Sequence, residues 1–595
     1  MSKFYTVLAT ACFSFLFLAA QSQVLPDSFR YEWNLAGIKD TSTAGFAVID
    51  IANSNLAGNG VTANDNAFNQ LLQTLPTSGA RLVFPSGVYR FTQPLSLPSN
   101  IVLEGQGHRE TTILLDLNGD SHGINITGNQ TSIIDSITAP VQRDDDFLEV
   151  TDGSQFQAGD WIKITKNDSD LIFSSWAMRS VGQIIQIDNV VANTLVLRSD
   201  VRMDYSLAED VSVRKIEPIE NVGIECLNIK RLDNTAPNLE ANVYYSYAVN
   251  SWMNGVQSDS CTYAHIWANN SSNLAFTSNY FHHAHDYGPG GRARGIALLY
   301  TTNEVLIENN VFDSLRHSVF LEAGVNCNVI AYNYSLNPFW DVPPPAPADA
   351  PGELVIEGNW AYANLFEGNI VRNMVVSNGH GANGPHNVFF RNRGDGFGIF
   401  MSDETSPNQA FIGNEITNMT NPYNEYNYYL QGSGHFIYGN NDKGVITPAG
   451  TDVLTDQSYY YSSIPRFLSE ETYVSIGLPN ELGEGTIPAQ IRRDVAGVSY
   501  AAFCGNDFNT DVNEIIDLNQ KVDVFPNPAS GLLNIRSEEA ISELTIINST
   551  GQVVLNRQVN QFLVNLDVAP LKNGFYFVTV HLKNGKMEVR KLVKN

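Results

Sequence analysis

Val305-Leu306-Ile307-Glu308-Asn309, Val329-Ile330-Ala331-Tyr332-Asn333, Leu365-Phe366-Glu367-Gly368-Asn369, Val388-Phe389-Phe390-Arg391-Asn392 and Ala410-Phe411-Ile412-Gly413-Asn414 share one pattern, a short apolar alternation that ends on asparagine. The asparagines lie 24, 36, 23 and 22 residues apart. A period in this range marks a solenoid, in which each turn of chain stacks on the last. An inward asparagine at each equivalent bend can hydrogen-bond the backbone of the next coil, about 4.8 Å away. The ladder is therefore assigned to the scaffold. Leucine-rich repeats overlap this period, but their L-x-x-L-x-L spacing is missing here.

The remaining composition agrees. A chain of 595 residues is too long for one ordinary compact core, whereas a solenoid core grows lengthwise. Gly (45), Tyr (25) and Phe (31) are plentiful, which suits strands and turns. The net charge is −27, although from Lys521 onward nine Lys/Arg outnumber six Asp/Glu. An acidic body repels nucleic acid, so no nucleic-acid partner is expected. Residues 1–22 read as a signal peptide, with Lys3 before an apolar stretch and small residues at Ala20 and Ser22. That stretch is short for a membrane span, and no later segment qualifies, so no transmembrane segment is expected after cleavage. Export permits disulfides, and Cys226, Cys261, Cys327 and Cys504 allow three full pairings. Cys226 and Cys327 lie in apolar strand contexts and are expected to pack inward.

Residues 24–135 hold Gly58-Asn59-Gly60-Val61-Thr62-Ala63-Asn64-Asp65, an amphipathic stretch Asn66–Thr74, then Phe84-Pro85-Ser86-Gly87-Val88-Tyr89 and Leu103-Glu104-Gly105-Gln106-Gly107. This run resembles the N-terminal signature of the pectate-lyase-like superfamily, with Asn59 where Asp is usual. The resemblance implies an all-β fold, a right-handed parallel β-helix, on a scaffold used heavily by enzymes that cut polysaccharides. It says little about the reaction. Near the other end, Val522-Asp523-Val524-Phe525-Pro526-Asn527-Pro528-Ala529, Gly574-Phe575-Tyr576-Phe577-Val578 and the basic tail Lys591-Leu592-Val593-Lys594 resemble the type A sorting domain of the type IX secretion system of Bacteroidetes. That resemblance implies a small β-sandwich, the secretion machinery as a partner, and release or attachment at the cell surface. The expected organisation is a signal peptide (1–22), a β-helix (23–445) with a small β insertion near 140–217, a cap or spacer (446–520) and the sorting domain (521–595).

Reactive groups are densest between 280 and 322. The ladder aligns Tyr280–Asp286 with Val311–His317, which predicts His285 beside Arg316 and Asp286 beside His317. Alternation predicts Val319 and Leu321 inward and Ser318, Phe320 and Glu322 outward. Proton abstraction next to a uronate carboxylate needs a base and a cation, and His and Arg on neighbouring coils suit it. Arg316, His317, His285, Asp286 and Glu322 are thus the catalytic candidates. Arg292, Arg294, Trp340, Trp360, Tyr362, His380 and His386 are the substrate-binding candidates. Hydrolysis needs two carboxylates instead, and among Asp286, Asp313, Glu322, Glu357, Asp395, Asp403 and Glu404 no pair stands out. Ca²⁺ is a candidate cofactor through Asp341, Glu353 and Glu357, without a spacing that defines a site. Glu367 occupies an alternation slot that is apolar elsewhere; burial there requires a partner for the carboxylate, and a local register shift that exposes it is expected at least equally. The reading favours an exported enzyme that degrades an anionic polysaccharide by β-elimination, with a glycoside hydrolase and a non-catalytic glycan-binding surface protein as alternatives.

Overall fold

The computed structural model describes residues 23–594 apart from 39–42, 120, 234–237, 288–290, 340–351, 420–427, 466, 469–472, 474–475, 495–501, 505–521, 526–528, 530, 549–552 and 584–586. The expected signal peptide, Trp340 and Asp341 therefore lie outside the described residues. The chain divides into two units, 1–507 and 508–595. The first is a right-handed parallel β-helix whose coils repeat three short strands. One coil runs through Leu306–Glu308, Val311–Asp313 and His317–Leu321, and the next through Val329–Ala331, Tyr334–Leu336 and Leu354–Gly358. Among the described residues one face is a 13-stranded sheet, and the other two faces join into a 20-stranded sheet. The lumen is filled by stacked apolar side chains such as Phe276, Ile307, Ile330, Phe366, Phe389 and Phe411. At the opening end Asp65–Leu72 forms the expected amphipathic helix and buries Phe68 against Phe91.

The ladder is present, with one correction. Its rung in the first window is Asn310, because Leu306 pairs with Val329 and so aligns Asn310 with Asn333. Asn309 instead takes a left-handed φ of 55° and binds Ser278 and Arg492. The full series is Asn279, Asn310, Asn333, Asn369, Asn392, Asn414 and Asn440, each amide donating to the next carbonyl oxygen at 2.8–3.0 Å. Each amide also donates backwards to a backbone carbonyl, as Asn333 does to Ile307 at 2.8 Å. A second ladder, unread in the sequence, brackets the same strands at their other end: Asn328, Asn364, Asn387 and Gln409. Bends that turn backbone groups into the lumen are thus satisfied coil by coil.

The outer face of the 13-stranded sheet is sealed from both chain directions. Leu25, Phe29 and Trp33 lie across it, with Trp33 donating to Ala363 O at 2.7 Å. Residues 453–468 and 476–494, expected as a cap or spacer, run back over the same face and contribute Leu454, Leu468 and Ile476. Glu367 stays in register between Ala331 and Phe390, so the expected shift does not occur. It is 1 % exposed and is satisfied by the Ser458 hydroxyl and by Tyr459 N at 2.9 Å. Cys226 does not pack inward; it forms a disulfide with Cys504, which ties the end of this covering segment to the solenoid. Cys327 is buried as expected, and Cys261 is a second buried free thiol.

The insertion is a six-stranded antiparallel sheet from Asn129–Ser136 to Ser212–Glu217, beginning earlier than its sequence suggests. It has its own core around Ile162, Ile185, Leu195 and Val213. It docks on the solenoid through Asn303, whose side chain exchanges two hydrogen bonds with the Ile184 backbone, and through Tyr362 and Asn326, which donate to Gly182 O. The contact is close enough to require glycine at 324, where a Cβ would lie 2.1 Å from Ser180 O at φ +71°. The second unit is a five-stranded antiparallel sheet over one core of Val522, Leu533, Leu544, Val564 and Val578.

Two outcomes follow. Asn333→Ala leaves several buried backbone and amide groups without partners, and we expect a loss of about 3 kcal/mol or more in urea unfolding. Tryptophan fluorescence reports this unit selectively, since all seven Trp precede residue 361. For Glu367, burial first pushes the carboxyl up to about 7 from 4.5. The folded state then holds the proton more tightly, so its stability is full below about 4.5 and falls as pH rises to about 7. Glu367→Gln should flatten that part of the stability–pH curve relative to the parent, and an unchanged slope would contradict it.

Candidate functional site

The sheet face opposite the insertion wall carries a row set by strand register. Ala297, Phe320, Val355, Val375 and Phe400 are paired neighbours that point outward. Leu298, Leu321, Ile356, Val376 and Met401 are the paired lumen row beside them. One residue further along, Glu322 and Glu357 therefore emerge side by side on adjacent coils, about 4.8 Å apart at the backbone. The next strand slips register between Ile356 and Gly358, so that Gly358 pairs with His380. That slip carries His380 back over the row, where its Nδ1 meets Glu322 Oε1. Asn359 also donates to Glu322 Oε1 at 3.1 Å.

The two carboxylates differ in surroundings. Glu322 is nearly inaccessible, with 3 % of its side chain exposed, and His380 is 43 % exposed. The hydrogen bond to Glu322 is the main cause that raises His380 above its ordinary value. Glu357 is raised too, first by burial and then by the Glu322 charge, with Ser377 opposing. Beside them the insertion supplies Trp176, 44 % exposed, edge-on to Tyr300 at 5.6 Å and to His380 at 5.8 Å. Phe173, 72 % exposed, is the next residue along this wall; Phe173 N and Ser174 N both donate to Asn359 Oδ1. Arg294 lies flat on Phe320 at 3.5 Å and bonds the Tyr263 hydroxyl. The result is a shallow cleft with a carboxylate pair on its floor and aromatic rings on its rim.

Of the sequence candidates, Glu322, Glu357, His380 and Arg294 meet here. The expected stacking of Asp286 on His317 is not formed, because Arg294 pairs with His317 instead. His317 is buried, its Nδ1 2.8 Å from Gly352 O, and burial first, then Arg294, push it down to about 3. Arg316 reaches Tyr287 O at 3.4 Å rather than His285. His285 bonds Arg231 O at 2.9 Å, and Asp286 pairs with Arg292 at 3.2 Å. His386 binds the Tyr31 hydroxyl at 2.9 Å and packs on Phe29, so it anchors the N-terminal segment. Tyr362 is buried under the insertion, and Trp360 packs in the same cluster. Ser318 points into the lumen toward Ser335 at 2.7 Å, against the expected alternation, while Phe320 and Glu322 do point outward. Glu353 is buried near Arg372 and Asp395, with Asn373 N on its Oε2 at 2.8 Å; burial pushes it up to about 8. Among the described residues no group of three His, Cys, Asp or Glu is placed to hold a metal ion. Trp176 and Tyr300 were missed: nothing in the sequence says that the insertion folds back onto this row. Glu357 was named among the carboxylates, and its pairing with Glu322 was recoverable, since it follows Ile356 as Glu322 follows Leu321.

Comparisons with known proteins agree with both resemblances. Residues 48–136 match the family model "Rhamnogalacturonase A/epimerase, pectate lyase-like", and residues 523–595 match "Secretion system C-terminal sorting domain". The parallel β-helix thus carries a pectate-lyase-like match at its opening end, and the match to a sorting domain at 523–595 indicates secretion or surface attachment. A capsule K1-specific depolymerase of Klebsiella phage K64-1 is 23 % identical over 254 residues, covering 41 % of this chain and 27 % of that protein. The chain thus spans about a quarter of the length of that relative. Among solved structures, the tailspike gp49 of Pseudomonas phage LKA1 is 16 % identical with a TM-score of 0.48, covering 62 % of this chain and 64 % of that one. The tailspike gp61 of Pseudomonas phage phi297 is 13 % identical with a TM-score of 0.48, covering 70 % and 83 %.

The Glu322–His380 contact has a direct readout. In an NMR titration His380 should titrate above the ordinary histidine value of 6.5, and in Glu322→Gln it should fall back toward it. A His380 resonance that does not move on that substitution would remove the pairing from the site.

Proposed function

We propose that the protein is a secreted glycoside hydrolase acting on an extracellular polysaccharide in the cleft between solenoid and insertion. The observation that carries this reading is the register-adjacent pair Glu322 and Glu357, differently partnered. Glu357, raised by burial and by the neighbouring charge, is the proton donor. Glu322, its Oε1 held by His380 and Asn359, faces the sugar as the second carboxylate. Glu357 gives its proton to the glycosidic oxygen as the C1–O bond breaks, and Glu322 attacks C1 to form a glycosyl ester. Water, deprotonated by Glu357, then hydrolyses that ester and restores both groups. Neighbouring-strand spacing of about 4.8 Å supports this retaining course, which uses the shorter of the two carboxylate separations known for glycosidases.

The rim rings Trp176 and Phe173 suit the apolar faces of sugars. The similarity to a capsule K1-specific depolymerase supports a polysaccharide substrate. β-Elimination at Arg316 and His317 has less support, because His317 is bonded to Gly352 O and the carboxylate-bearing row lies elsewhere.

The test is a panel of uronate-containing and neutral polysaccharides, followed for new reducing ends and for the ultraviolet absorbance of unsaturated uronyl products. We expect reducing ends without that absorbance. Glu322→Gln and Glu357→Gln should each lower turnover about a hundredfold or more, with far-UV circular dichroism unchanged. Unsaturated products, or full activity in both variants, would overturn the proposal.

A further inference from the structure

The two groups that hydrogen-bond Glu322 Oε1, His380 and Asn359, are both held by the insertion. His380 is carried by the register slip, and the insertion lies directly over it: a Cβ on Gly381, at φ +80°, would stand 2.5 Å from the Phe173 Cβ. Trp176 meets the His380 ring edge-on. Asn359 is buried, and its side chain bridges the insertion and the carboxylate. Phe173 N and Ser174 N donate to its Oδ1 at 3.1 and 2.9 Å, and its Nδ2 donates to Glu322 Oε1 at 3.1 Å.

The two ends of a primary amide are not equivalent, since Oδ1 only accepts and Nδ2 only donates. Two backbone N–H groups of the insertion both demand Oδ1, which turns Nδ2 toward Glu322. In the reverse orientation Nδ2 would meet two N–H groups and Oδ1 a carboxylate oxygen, so each attraction would become a repulsion. The docked insertion therefore fixes which end of the amide Glu322 receives. The backbone completes the hold. Asn359 N donates to His380 O at 2.9 Å, and Gly324 N donates to Asn359 O at 2.8 Å, so the residue is tied to the coils on both sides. Its φ is 46°, a left-handed conformation that asparagine tolerates better than most residues. Leucine or alanine there would be strained as well as unable to bridge.

We propose that Asn359 is a positioning residue through which the insertion orients the Glu322 carboxylate, so that the insertion governs turnover and is more than the rim of the cleft. This rests on Glu322 as the second carboxylate of the hydrolase reading. With Oε1 tied by a charge-assisted bond to Asn359 and by His380, Oε2 is the oxygen presented to C1. Holding a reacting oxygen in line is the part of catalysis that a small misplacement damages most.

The experiment compares the full chain with Asn359→Asp, Asn359→Ala and Lys163→Met. Two readouts need no substrate: the His380 titration by NMR, and backbone hydrogen exchange at Phe173 and Ser174. The third is kcat and KM on the polysaccharide that the panel above identifies. Asn359→Asp keeps an acceptor for the two N–H groups and loses the donor to Glu322. We expect exchange at Phe173 and Ser174 to stay slow in it, and the His380 titration to move upward by about half a pH unit or more, because a further carboxylate then faces the imidazole. Its kcat should fall about tenfold or more, with KM within about threefold. Asn359→Ala loses both arms, so exchange at Phe173 and Ser174 should quicken about tenfold or more and kcat should fall at least as far. Lys163→Met cuts the insertion's 2.6 Å contact with Asn270 Oδ1 without touching Asn359, and should match the parent in every readout. A His380 titration unmoved in Asn359→Asp, exchange unaltered in Asn359→Ala, parental kcat in Asn359→Asp, or the same shifts in Lys163→Met would each overturn the proposal. If both substrate-free readouts behave as expected and the parent cleaves no polysaccharide, the link from insertion to Glu322 stands and the hydrolase reading falls instead.

Discussion

Everything in the first unit depends on amide-to-amide hydrogen bonds between coils. A solenoid bend must turn backbone N–H and C=O groups toward an apolar lumen, where an unpaired group costs roughly 1–3 kcal/mol. Asparagine solves this because its side chain both donates and accepts, so one residue serves the coil above and the coil below. Asn333 shows the whole pattern, accepting from Asn310 and donating to Ile307 and Asn369. A ladder at each end of the 13-stranded face pins the intervening three-residue strands in register, although strands that short contribute little on their own. The same register places every outward side chain, including those of the cleft.

The cleft follows from two departures from that regularity. One is the register slip between Ile356 and Gly358, which leaves Ser377, Asn378 and Gly379 outside the ordinary pairing and returns His380 toward Glu322. The other is the insertion, which interrupts the coils after Thr127 and docks on turns far along the chain, at Asn303, Asn326 and Asn359. A uniform solenoid has a flat flank; a wall set against one flank makes a concave surface. The rigid coils hold the carboxylates, and the insertion contributes Trp176 and Phe173 on the rim. Polar groups that the wall would strand are met by asparagine side chains, the device that closes the coils themselves.

The scaffold was legible because its requirement is local and repeated: apolar alternation and then asparagine, at intervals one coil long. Even so, the doubled Asn309-Asn310 allowed a one-residue misreading, which strand pairing at Leu306 and Val329 resolves. The site was only partly legible, for a related reason. Aligning His285-Asp286 with Arg316-His317 carried the register of one strand through a bend, and bends are where coils differ in length. Glu322 was read outward correctly because it continues the alternation of strand His317–Leu321; His317, at the strand start, was placed beside Asp286 and pairs with Arg294 instead. The wall residues Trp176 and Phe173 depend on docking across more than a hundred residues of sequence, for which no periodicity exists. Glu367 looked improbable as a buried group because its partners, Ser458 and Tyr459, come from a covering segment that the sequence does not assign to that face.

The electrostatics of the cleft also bear on the acidity of the chain. A body of net charge −27 repels a polyanion, and a cleft that itself holds two carboxylates adds to that repulsion. At physiological ionic strength, however, charges more than about 8 Å apart are largely screened, so the distant acids matter less than the groups in the cleft. Near the bond to be cut the local balance is different. Glu357 is displaced toward its neutral form, and Glu322 is faced by His380, itself displaced toward its charged form.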